Sequence, residues 1–337
     1  MTVCTIEALE QALKKRGRLG EREARLVLED KSLELSALLA ITDCLRRSHS
    51  GNRIRLCSIV NARSGSCPED CAFCAQSTHH SAAVRRYPLL PVEKLVDAAR
   101  EAARSGAGEF SIVTSGRSLS KARDIESVEH ALREIGGNAG NIQRCASLGR
   151  VEPRVLERLK AAGLDCFHHN LETCRSFFPG ICTSHSYEER VEMVRRIKAA
   201  GLRVCSGGIF SMGESLDQRV ALALELAELN VDSIPLNFLN PIPGTPLEDA
   251  EYLTPGDCLR IIAMFRLVLP DKDIVVCGGR EVNLRDMQSM IFHAGANGIL
   301  IGDYLTTEGR SARDDLQMLE DLGLEPYSQG QQDQPEN

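Results

Sequence analysis

The sequence predicts an α/β fold, a (β/α)8 barrel of the TIM type with a helical extension at its N-terminus. From about residue 54, short β-rich runs alternate with amphipathic helical stretches, which is typical of parallel βαβ units. The runs number eight, as in a TIM barrel, and 337 residues is an ordinary length for one such barrel. The predicted strands are 54–61, 109–115, 142–148, 164–170, 202–208, 233–239, 273–278 and 298–302.

The chain divides into three parts by composition. Residues 1–50 form the predicted helical extension, because apolar residues recur at helical spacing on both sides of a break at Gly20. Residues 51–326 form the predicted barrel, and we expect the helices of the extension to pack outside it. The tail 327–337 is too polar to bury a surface, so we expect it to be disordered.

Helix signals between the strands support the parallel arrangement. Ser186 and Glu189 have the spacing of a capping box at the start of one predicted helix. The phrase Lys-Ala-Ala-Gly-Leu occurs at 160–164 and again at 198–202, and each copy leads from a helix into a strand. The repetition indicates one structural unit used more than once along the chain.

Composition and charge argue against several classes of function. A net charge of -7 and a pI near 5.7 disfavour a surface that binds the phosphates of a nucleic acid. No stretch has the pattern of a signal peptide, and no apolar run has the length of a membrane span. We therefore expect a cytoplasmic protein with neither a nucleic-acid nor a membrane partner. Thirteen cysteines in a reducing compartment favour metal–sulfur chemistry over disulfides.

A CxxxCxxC loop at 67–74 carries the main chemical signal. Its thiols, Cys67, Cys71 and Cys74, can bind three corners of a 4Fe-4S cluster, and no fourth cysteine follows close enough to complete the shell. One iron is then open to an exchangeable ligand. This spacing identifies radical S-adenosylmethionine enzymes, in which the open iron binds the methionine part of the cofactor. The alternatives are a zinc site, which would require four protein ligands, or three buried thiols.

A second iron–sulfur cluster is predicted inside the barrel, because alternate residues of each strand point inward. At about 3.3 Å per residue, Cys57 lies about 20 Å below Arg63, which is too far for it to join the loop cluster. The predicted ligands of this auxiliary cluster are Cys57, Cys145, Cys205 and Cys277, with Cys166 as a rival ligand. The alternative is that these cysteines pack as small hydrophobic residues. The cysteines interpreted as incidental are Cys4, Cys44, Cys174, Cys182 and Cys258.

Polar residues and glycines near strand ends are candidate ligand contacts. His168 faces inward with Asn170, which gives it either a role at the substrate or the place of an ordinary satisfied core histidine. Gly207 and Gly208 permit the close backbone approach that a nucleoside or methionine group needs, or belong to an ordinary turn. Asn237 near the end of the sixth strand forms a substrate wall or part of a turn.

Several phrases of the sequence together resemble the biotin synthase family far more specifically than CxxxCxxC alone. They occur in order between about residues 55 and 305. They are SCPEDCAFCAQS at 66–77, HNLET at 169–173, VCSGGI at 204–209, GTPL at 244–247, GRE at 279–281 and AGAN at 294–297.

The resemblance implies a reaction that inserts sulfur between two carbons of dethiobiotin, using two S-adenosylmethionine molecules and sulfide from the auxiliary cluster. It implies that Asn170, Glu172 and Arg190 contact S-adenosylmethionine, the arginine through the carboxylate. It implies that Arg63 and Asn237 face dethiobiotin. The position of His168 also faces the substrate in the family, which commonly has an asparagine there. It also implies an external electron donor of the flavodoxin or ferredoxin type and a homodimer.

Two positions besides His168 depart from the pattern of the better-known family members. Their two-iron auxiliary cluster uses three cysteines and an arginine. Two of those cysteines correspond to Cys145 and Cys205, but the third falls at Ser111 and the arginine at Val275. Cys57 and Cys277 lie near these two positions. We therefore predict a relocated auxiliary cluster with four cysteine ligands and four irons.

Two other functions fit parts of the same pattern. One is a different barrel radical enzyme, such as a hydrogenase-cofactor maturase or a methylornithine-type mutase, for which the inner cysteines would be dispensable. The other is an electron carrier. The open iron argues against a carrier, since carriers bind every iron with protein ligands.

Overall fold

Parallel strands of this chain form one sheet that closes on itself. In a computed structural model that describes residues 2–327, the sheet runs β1-β2-β3-β4-β5-β7-β8-β9, and β9 pairs with β1 to complete the barrel. The strands are β1 Arg53–Arg63, β2 Glu109–Thr114, β3 Gln143–Ser147, β4 Cys166–His168, β5 Arg203–Cys205, β6 Gly208–Phe210, β7 Ser233–Phe238, β8 Asp273–Val276, β9 Gly298–Leu300 and β10 Glu325–Pro326. The predicted eight-stranded barrel is confirmed. Its fifth strand consists of two segments, β5 and β6, both paired with β7.

Helices surround the barrel and form the N-terminal extension. They are α1 Thr2–Arg16, α2 Glu21–Glu29, α3 Leu35–Ser50, α4 Val92–Arg104, α5 Ala122–Asn138, α6 Pro153–Ala161, α7 Tyr187–Ala199, α8 Leu216–Glu228, α9 Pro255–Val268, α10 Arg280–Leu284, α11 Met290–His293 and α12 Ala312–Asp321. The predicted capping box is present at α7, where the Glu189 amide donates to the Ser186 hydroxyl and the Ser186 amide donates to the Glu189 carboxylate. No helix among the described residues has the length and apolar character of a membrane span.

Helix α9 lies between the barrel and the extension, in contact with α2 and α3. Every residue from Cys258 to Val268 is buried, because both sides of the helix face other protein layers. Its two arginines are satisfied by backbone oxygens. Arg260 donates to the carbonyl of Val27 at 3.0 Å, and Arg266 donates to that of Gly295 at 2.8 Å. These contacts fix the extension on the outer face of the barrel.

Ion pairs close the end of the barrel where the strands begin. Arg55 of β1 lies 2.7 Å from Glu109 at the start of β2 and 2.7 Å from Asp273 at the start of β8. Arg203 of β5 lies 3.3 Å from the same Asp273. Burying these charges carries a desolvation cost, and their attraction to one another offsets part of it.

The C-terminal segment returns to the first strand. Strand β10 pairs with Arg53 and Ile54. The Tyr327 amide donates to the Ile54 carbonyl at 2.7 Å, and the Arg55 guanidinium lies 4.7 Å from the Tyr327 ring centre. The predicted disordered tail thus starts one residue too early, because Tyr327 is held by β1. The rest of that tail, 328–337, lies outside the described residues.

Candidate active site

A cavity of about 470 Å³ extends from the carboxyl ends of the strands into the barrel. Its outer part is lined by the CxxxCxxC loop, by strand-end residues such as Asn170 and by the segment after β9 that includes Tyr304. Its inner part is lined by residues from the middle and beginning of the strands, among them Cys57 and Glu109. This volume is within the range of small-molecule sites.

The three cysteines of the loop face this cavity together. The loop is a compact turn, in which the Cys74 amide donates to the Cys71 carbonyl at 2.9 Å and the Cys67 amide donates to the Gln76 carbonyl at 3.1 Å. Burial raises the pKa of Cys67, and it raises that of Cys74 to about 11. Three convergent thiols with no fourth cysteine in the loop fit a cluster that keeps one iron open. Binding of iron would displace their protons.

The two acidic residues inside the motif attach this loop to the segment before α7. The Asp70 carboxylate accepts hydrogen bonds from the amides of Thr183 and Ser184, each at 3.0 Å. Although burial raises the pKa of Asp70, hydrogen bonds from Thr183 and Ser184 lower it well below its usual range overall. The Glu69 carboxylate accepts from the Ser184 hydroxyl at 2.7 Å and from the His185 ring. The loop is therefore held by two carboxylates that lie between Cys67 and Cys71 in the sequence.

Cys182, interpreted from the sequence as incidental, lies beside the loop. Its Sγ atom is 3.8 Å from the Sγ of Cys71 and 3.3 Å from Nδ1 of His185. The contact with Cys71 lowers the pKa of Cys182 to about 4, and the same contact raises that of Cys71. Periodicity within one strand could not reveal this neighbour, since 111 residues separate the two cysteines. The only hint in the sequence is the pair Glu69 and Asp70, because two acidic residues inside the loop indicate that a polar segment packs against it.

Three residues predicted to contact S-adenosylmethionine line the cavity next to the loop. Arg190 of α7 donates to the Asn170 carbonyl at 2.9 Å, and its guanidinium lies 3.4 Å from the Glu172 carboxylate. Glu172 adopts a positive φ of 70° after β4, a conformation that is uncommon for a residue other than glycine. Burial raises the pKa of Glu172, and the charge of Arg190 opposes that effect. The arrangement offers a cation, a carboxylate and an amide at one wall.

Gly207 and Gly208 do not line the cavity, so their predicted approach to a ligand is corrected. A Cβ atom on Gly207 would lie 2.0 Å from the carbonyl oxygen of Pro235. A Cβ atom on Gly208 would lie 2.6 Å from the carbonyl oxygen of Glu172. Glycine is required here because neighbouring backbones of the barrel approach one another closely. The two glycines therefore make room for neighbouring backbone and not for a ligand.

The inward cysteines line the inner cavity on five different strands or strand ends, and they are Cys57, Cys145, Cys166, Cys205 and Cys277. Cys145 and Cys166 are direct partners in the pairing of β3 with β4. Contacts with Cys166 raise the pKa values of Cys145 and Cys205, and the same contacts lower that of Cys166. Burial raises the pKa of Cys277 to about 12. Ser111, the partner of Cys145 in β2, has a buried hydroxyl without a hydrogen-bond partner.

A buried carboxylate below these thiols was missed from the sequence. Glu109 lines the inner cavity, and its carboxylate lies 3.5 Å from the Cys57 Sγ, which donates to it. Burial raises the pKa of Glu109, while Arg55 opposes that effect. The alternating pattern of β2 places Glu109 on its inward face together with Ser111, so strand parity was the signal that could have found it.

The predicted substrate residues have different surroundings. His168 lines the cavity with its Nδ1 atom 3.3 Å from the Sγ of Cys205, and burial lowers its pKa. Asn237 lines the cavity, but its Nδ2 donates to the Gly208 carbonyl at 3.3 Å and its Oδ1 accepts from the Gly278 amide at 3.0 Å. The side-chain amide of Asn237 therefore links neighbouring strands of the barrel.

Arg63 is not among the residues that line the cavity, which corrects its predicted position. Its Nε donates to the Ser115 carbonyl at 2.9 Å, and the guanidinium lies 3.8 Å from Asp124. The register of β1 against β2 shifts between Asn61 and Arg63. A bulge of this kind changes the direction of a side chain, which accounts for the position of Arg63 outside the cavity.

Comparison with known families supplies a second line of observation. The radical SAM superfamily matches residues 63–227, and the biotin and thiamin synthesis associated domain matches residues 235–325. The biotin synthase of Trichlorobacter lovleyi is 54% identical over 290 residues, which is 86% of this chain and 87% of that protein. The biotin synthase of Geobacter sulfurreducens is 51% identical over 318 residues, covering 94% and 96%.

Solved structures agree on the fold. Methylornithine synthase aligns with a TM-score of 0.79 and 20% identity over 95% of this chain and 98% of that one. The FeFe-hydrogenase maturase HydG from Carboxydothermus hydrogenoformans aligns with a TM-score of 0.81 and 18% identity, over 95% and 79%. At these identities the likeness concerns the fold alone.

Proposed function

The chain belongs to the biotin synthase family of radical S-adenosylmethionine enzymes, and from this premise we propose that it converts dethiobiotin to biotin by inserting sulfur inside the barrel. One observation carries the proposal at the level of residues. A single cavity is lined at its outer part by three loop thiols and at its inner part by five strand thiols. A substrate held between the two sets would have a radical source on one side and a sulfur source on the other.

The loop thiols of Cys67, Cys71 and Cys74 hold the 4Fe-4S cluster in this proposal. With S-adenosylmethionine, such a cluster supplies one-electron cleavage of the cofactor, which permits removal of hydrogen from an unactivated carbon. The chain's own contribution is to keep one iron free of protein ligands and to hold the loop in place. Glu69 and Asp70 do the latter through their hydrogen bonds to Ser184 and Thr183.

Arg190, Glu172 and Asn170 orient S-adenosylmethionine beside that cluster. A guanidinium binds a carboxylate through two parallel hydrogen bonds, so Arg190 is suited to the carboxylate of the methionine part. Glu172 lies 3.4 Å from this guanidinium and is a suitable acceptor for ribose hydroxyls or an amino group. Because both side chains are largely buried, their interactions with the cofactor are weakly screened.

The auxiliary cluster is held by Cys57, Cys145, Cys205 and Cys277, with Cys166 as the rival ligand. Ligands of a four-iron cluster bind different irons and need not touch, so thiols spread around the barrel wall suit such a cluster. Cys277 and Cys57 pack in one small apolar cluster with Val275, on the side where the better-known members have an arginine ligand. This placement supports four cysteine ligands and four irons.

Dethiobiotin lies between the two cysteine sets. Apolar residues that line the cavity, such as Ile59, Val113 and Leu300, are suited to its methyl and methylene carbons. His168, beside Cys205, is placed to contact the polar ring of the substrate with the nitrogen that does not face the sulfur. Asn170 and Asn237 form the wall next to it. Arg63 has no direct role in this proposal.

Two partners complete the proposal. One electron is consumed each time S-adenosylmethionine is cleaved, so an external donor of the flavodoxin or ferredoxin type is required. A homodimer follows from the family resemblance alone. The reducing chemistry of both clusters is suited to a cytoplasmic location.

Anaerobic reconstitution tests the function. The loaded chain is incubated with dethiobiotin, S-adenosylmethionine and a reductant, and 5′-deoxyadenosine and biotin are measured separately. Cys67→Ala abolishes formation of both products, because the radical cluster loses a ligand. Cys277→Ala retains 5′-deoxyadenosine but forms no biotin. Cys258→Ala, a buried cysteine of α9, is the control and forms both. Biotin formation by Cys277→Ala would refute the assigned ligand, and absence of biotin in the wild type would refute the function.

A further inference from the structure

Three side chains, one from the CxxxCxxC loop and two from the segment packed against it, lie close enough together to hold a single metal ion. One ligand atom each from Cys71, Cys182 and His185 lies within 4.8 Å of the other two. Within residues 2–327, no other three histidine, cysteine, aspartate or glutamate side chains bring their ligand atoms this close together. Two thiolates and one imidazole are a donor set that binds zinc in sites with an open fourth position.

The distances agree with those that zinc imposes. Two Zn–S bonds of about 2.3 Å at the tetrahedral angle separate the sulfur atoms by roughly 3.8 Å. The observed separation between the Sγ atoms of Cys71 and Cys182 is 3.8 Å. A Zn–N bond of about 2.0 Å gives a sulfur–nitrogen separation of roughly 3.5 Å. Nε2 of His185 lies 3.8 Å from Cys182 Sγ. An ion therefore fits with small side-chain adjustments.

The hydrogen bonds of His185 leave the required nitrogen unprotonated. Arg190 donates through its Nε to Nε2 of His185 at 3.1 Å, so Nε2 is an acceptor and the proton lies on Nδ1. Glu69 accepts the Nδ1 hydrogen. Histidines that bind metals usually donate the other ring N–H to a carboxylate in this way. A metal ion would replace Arg190 at Nε2 and leave the bond to Glu69 intact.

The surroundings favour a divalent cation. Asp70 lies 3.2 Å from the Sγ of Cys182, and Glu69 adds a second carboxylate beside His185. Cys71, Glu69 and His185 all line the cavity, so the fourth position is open to water from it. Cys182 is not among the residues that line the cavity.

We propose that, in the chain without its radical cluster, Cys71, Cys182 and His185 bind one Zn²⁺ ion, and that this ion excludes the radical cluster. Exclusion follows because Cys71 cannot serve both groups, and this part of the proposal rests on the proposed function. Metal binding itself does not. Cys67 and Cys74 belong to the CxxxCxxC loop but not to the zinc site, so they distinguish the two sites.

Titration with Co²⁺ alone tests the site, since tetrahedral Co²⁺ with thiolate ligands has characteristic visible absorption. The full-length chain without clusters is used under anaerobic conditions. Wild type, Cys67→Ala and Cys74→Ala bind one Co²⁺ ion with the same spectrum, and Zn²⁺ displaces it. In Cys182→Ser and His185→Ala the dissociation constant for Co²⁺ rises at least about 100-fold, since loss of an outer-shell partner already costs 10–100-fold. An unchanged spectrum in Cys182→Ser, or its loss in Cys74→Ala, overturns the proposal.

Iron uptake tests the exclusion. The chain is incubated with one equivalent of Zn²⁺ and then reconstituted with iron and sulfide. Wild type takes up about four fewer irons than without zinc, while Cys182→Ser takes up the same iron with and without zinc. Full iron uptake by the zinc-treated wild type refutes exclusion. Failure of the zinc-free wild type to assemble a radical cluster would refute the proposed function and leave the Co²⁺ result standing. Circular dichroism of Cys182→Ser verifies that the variant is folded.

Discussion

Replacement of Arg190 tests the assignment of the S-adenosylmethionine site. The guanidinium has a fixed position, because it donates to the Asn170 carbonyl at 2.9 Å and to the His185 ring at 3.1 Å. A hydrogen bond to a charged partner in such a site contributes about 1.5–3 kcal/mol. At about 1.4 kcal/mol for each factor of ten, Arg190→Met raises the dissociation constant for S-adenosylmethionine roughly 10–150-fold. Arg190→Lys recovers part of this loss, since it keeps the charge but not the paired hydrogen bonds.

Equilibrium binding of S-adenosylmethionine to the reconstituted chain provides the assay, with iron content measured in parallel. The iron measurement is needed because Arg190 also contacts His185 beside the cluster loop. Arg175→Met is the control, since Arg175 pairs with Glu188 and Glu225 on the exposed surface, and it leaves the affinity unchanged. An affinity of Arg190→Met within about threefold of the wild type, with full iron content, would refute the role of this arginine.

Three further predictions concern stability. Asp315 and Arg280 form a fully buried ion pair with two hydrogen bonds of 2.9 and 2.8 Å. Asp315→Asn breaks this pair and lowers the free energy of unfolding by about 3 kcal/mol, which corresponds to a Tm lower by roughly 4 °C for 337 residues. Asp314→Asn, at the exposed neighbouring position, has little effect. Burial raises the pKa of Asp273, but hydrogen bonding by His49 and the charge of Arg55 lower it overall. The stabilisation by Asp273 is therefore complete above about pH 4 and is lost as the pH falls through its lower folded pKa. Gly207→Ala costs about 1–3 kcal/mol, because its Cβ meets the Pro235 carbonyl, whereas Gly137→Ala in α5 stabilises by about 0.5–1 kcal/mol.

Thermal denaturation measures all three effects. Equal Tm values for the Asp315 and Asp314 variants would contradict the buried pair. For Asp273, the difference in Tm between the wild type and Asp273→Asn narrows below pH 4, and a constant difference down to pH 2.5 would contradict the assigned pKa direction. A Gly207→Ala variant as stable as Gly137→Ala would contradict the close backbone contact.

Periodic patterns predicted the barrel well because each strand and helix carries its own local signal. The capping box of α7 is an example, since Ser186 and Glu189 satisfy each other within four residues. Strand parity also predicted that Cys57 and Cys277 face the inside of the barrel, where they pack in one apolar cluster. These are properties of neighbouring residues or of regular strands, which a sequence displays directly.

The predictions that failed depended on irregular or distant contacts. The sequence near Arg63 contains no signal for a bulge, yet the bulge turns the Arg63 side chain toward Ser115. The contact of Cys182 with Cys71 joins two segments that only the folded barrel brings together. The sequence suggests that Gly207 leaves room for a ligand, since it cannot show that the Pro235 backbone occupies the space beside this glycine.

Iron and sulfide content of the reconstituted chain tests the central claim most directly, since the account requires two clusters in one barrel. The wild type is predicted to bind about eight irons, as two four-iron clusters, with two sets of Mössbauer signals. Cys145→Ala combined with Cys205→Ala is predicted to bind about four irons and to retain cleavage of S-adenosylmethionine. A wild type with only four irons, or a double variant that still binds eight, would contradict the account.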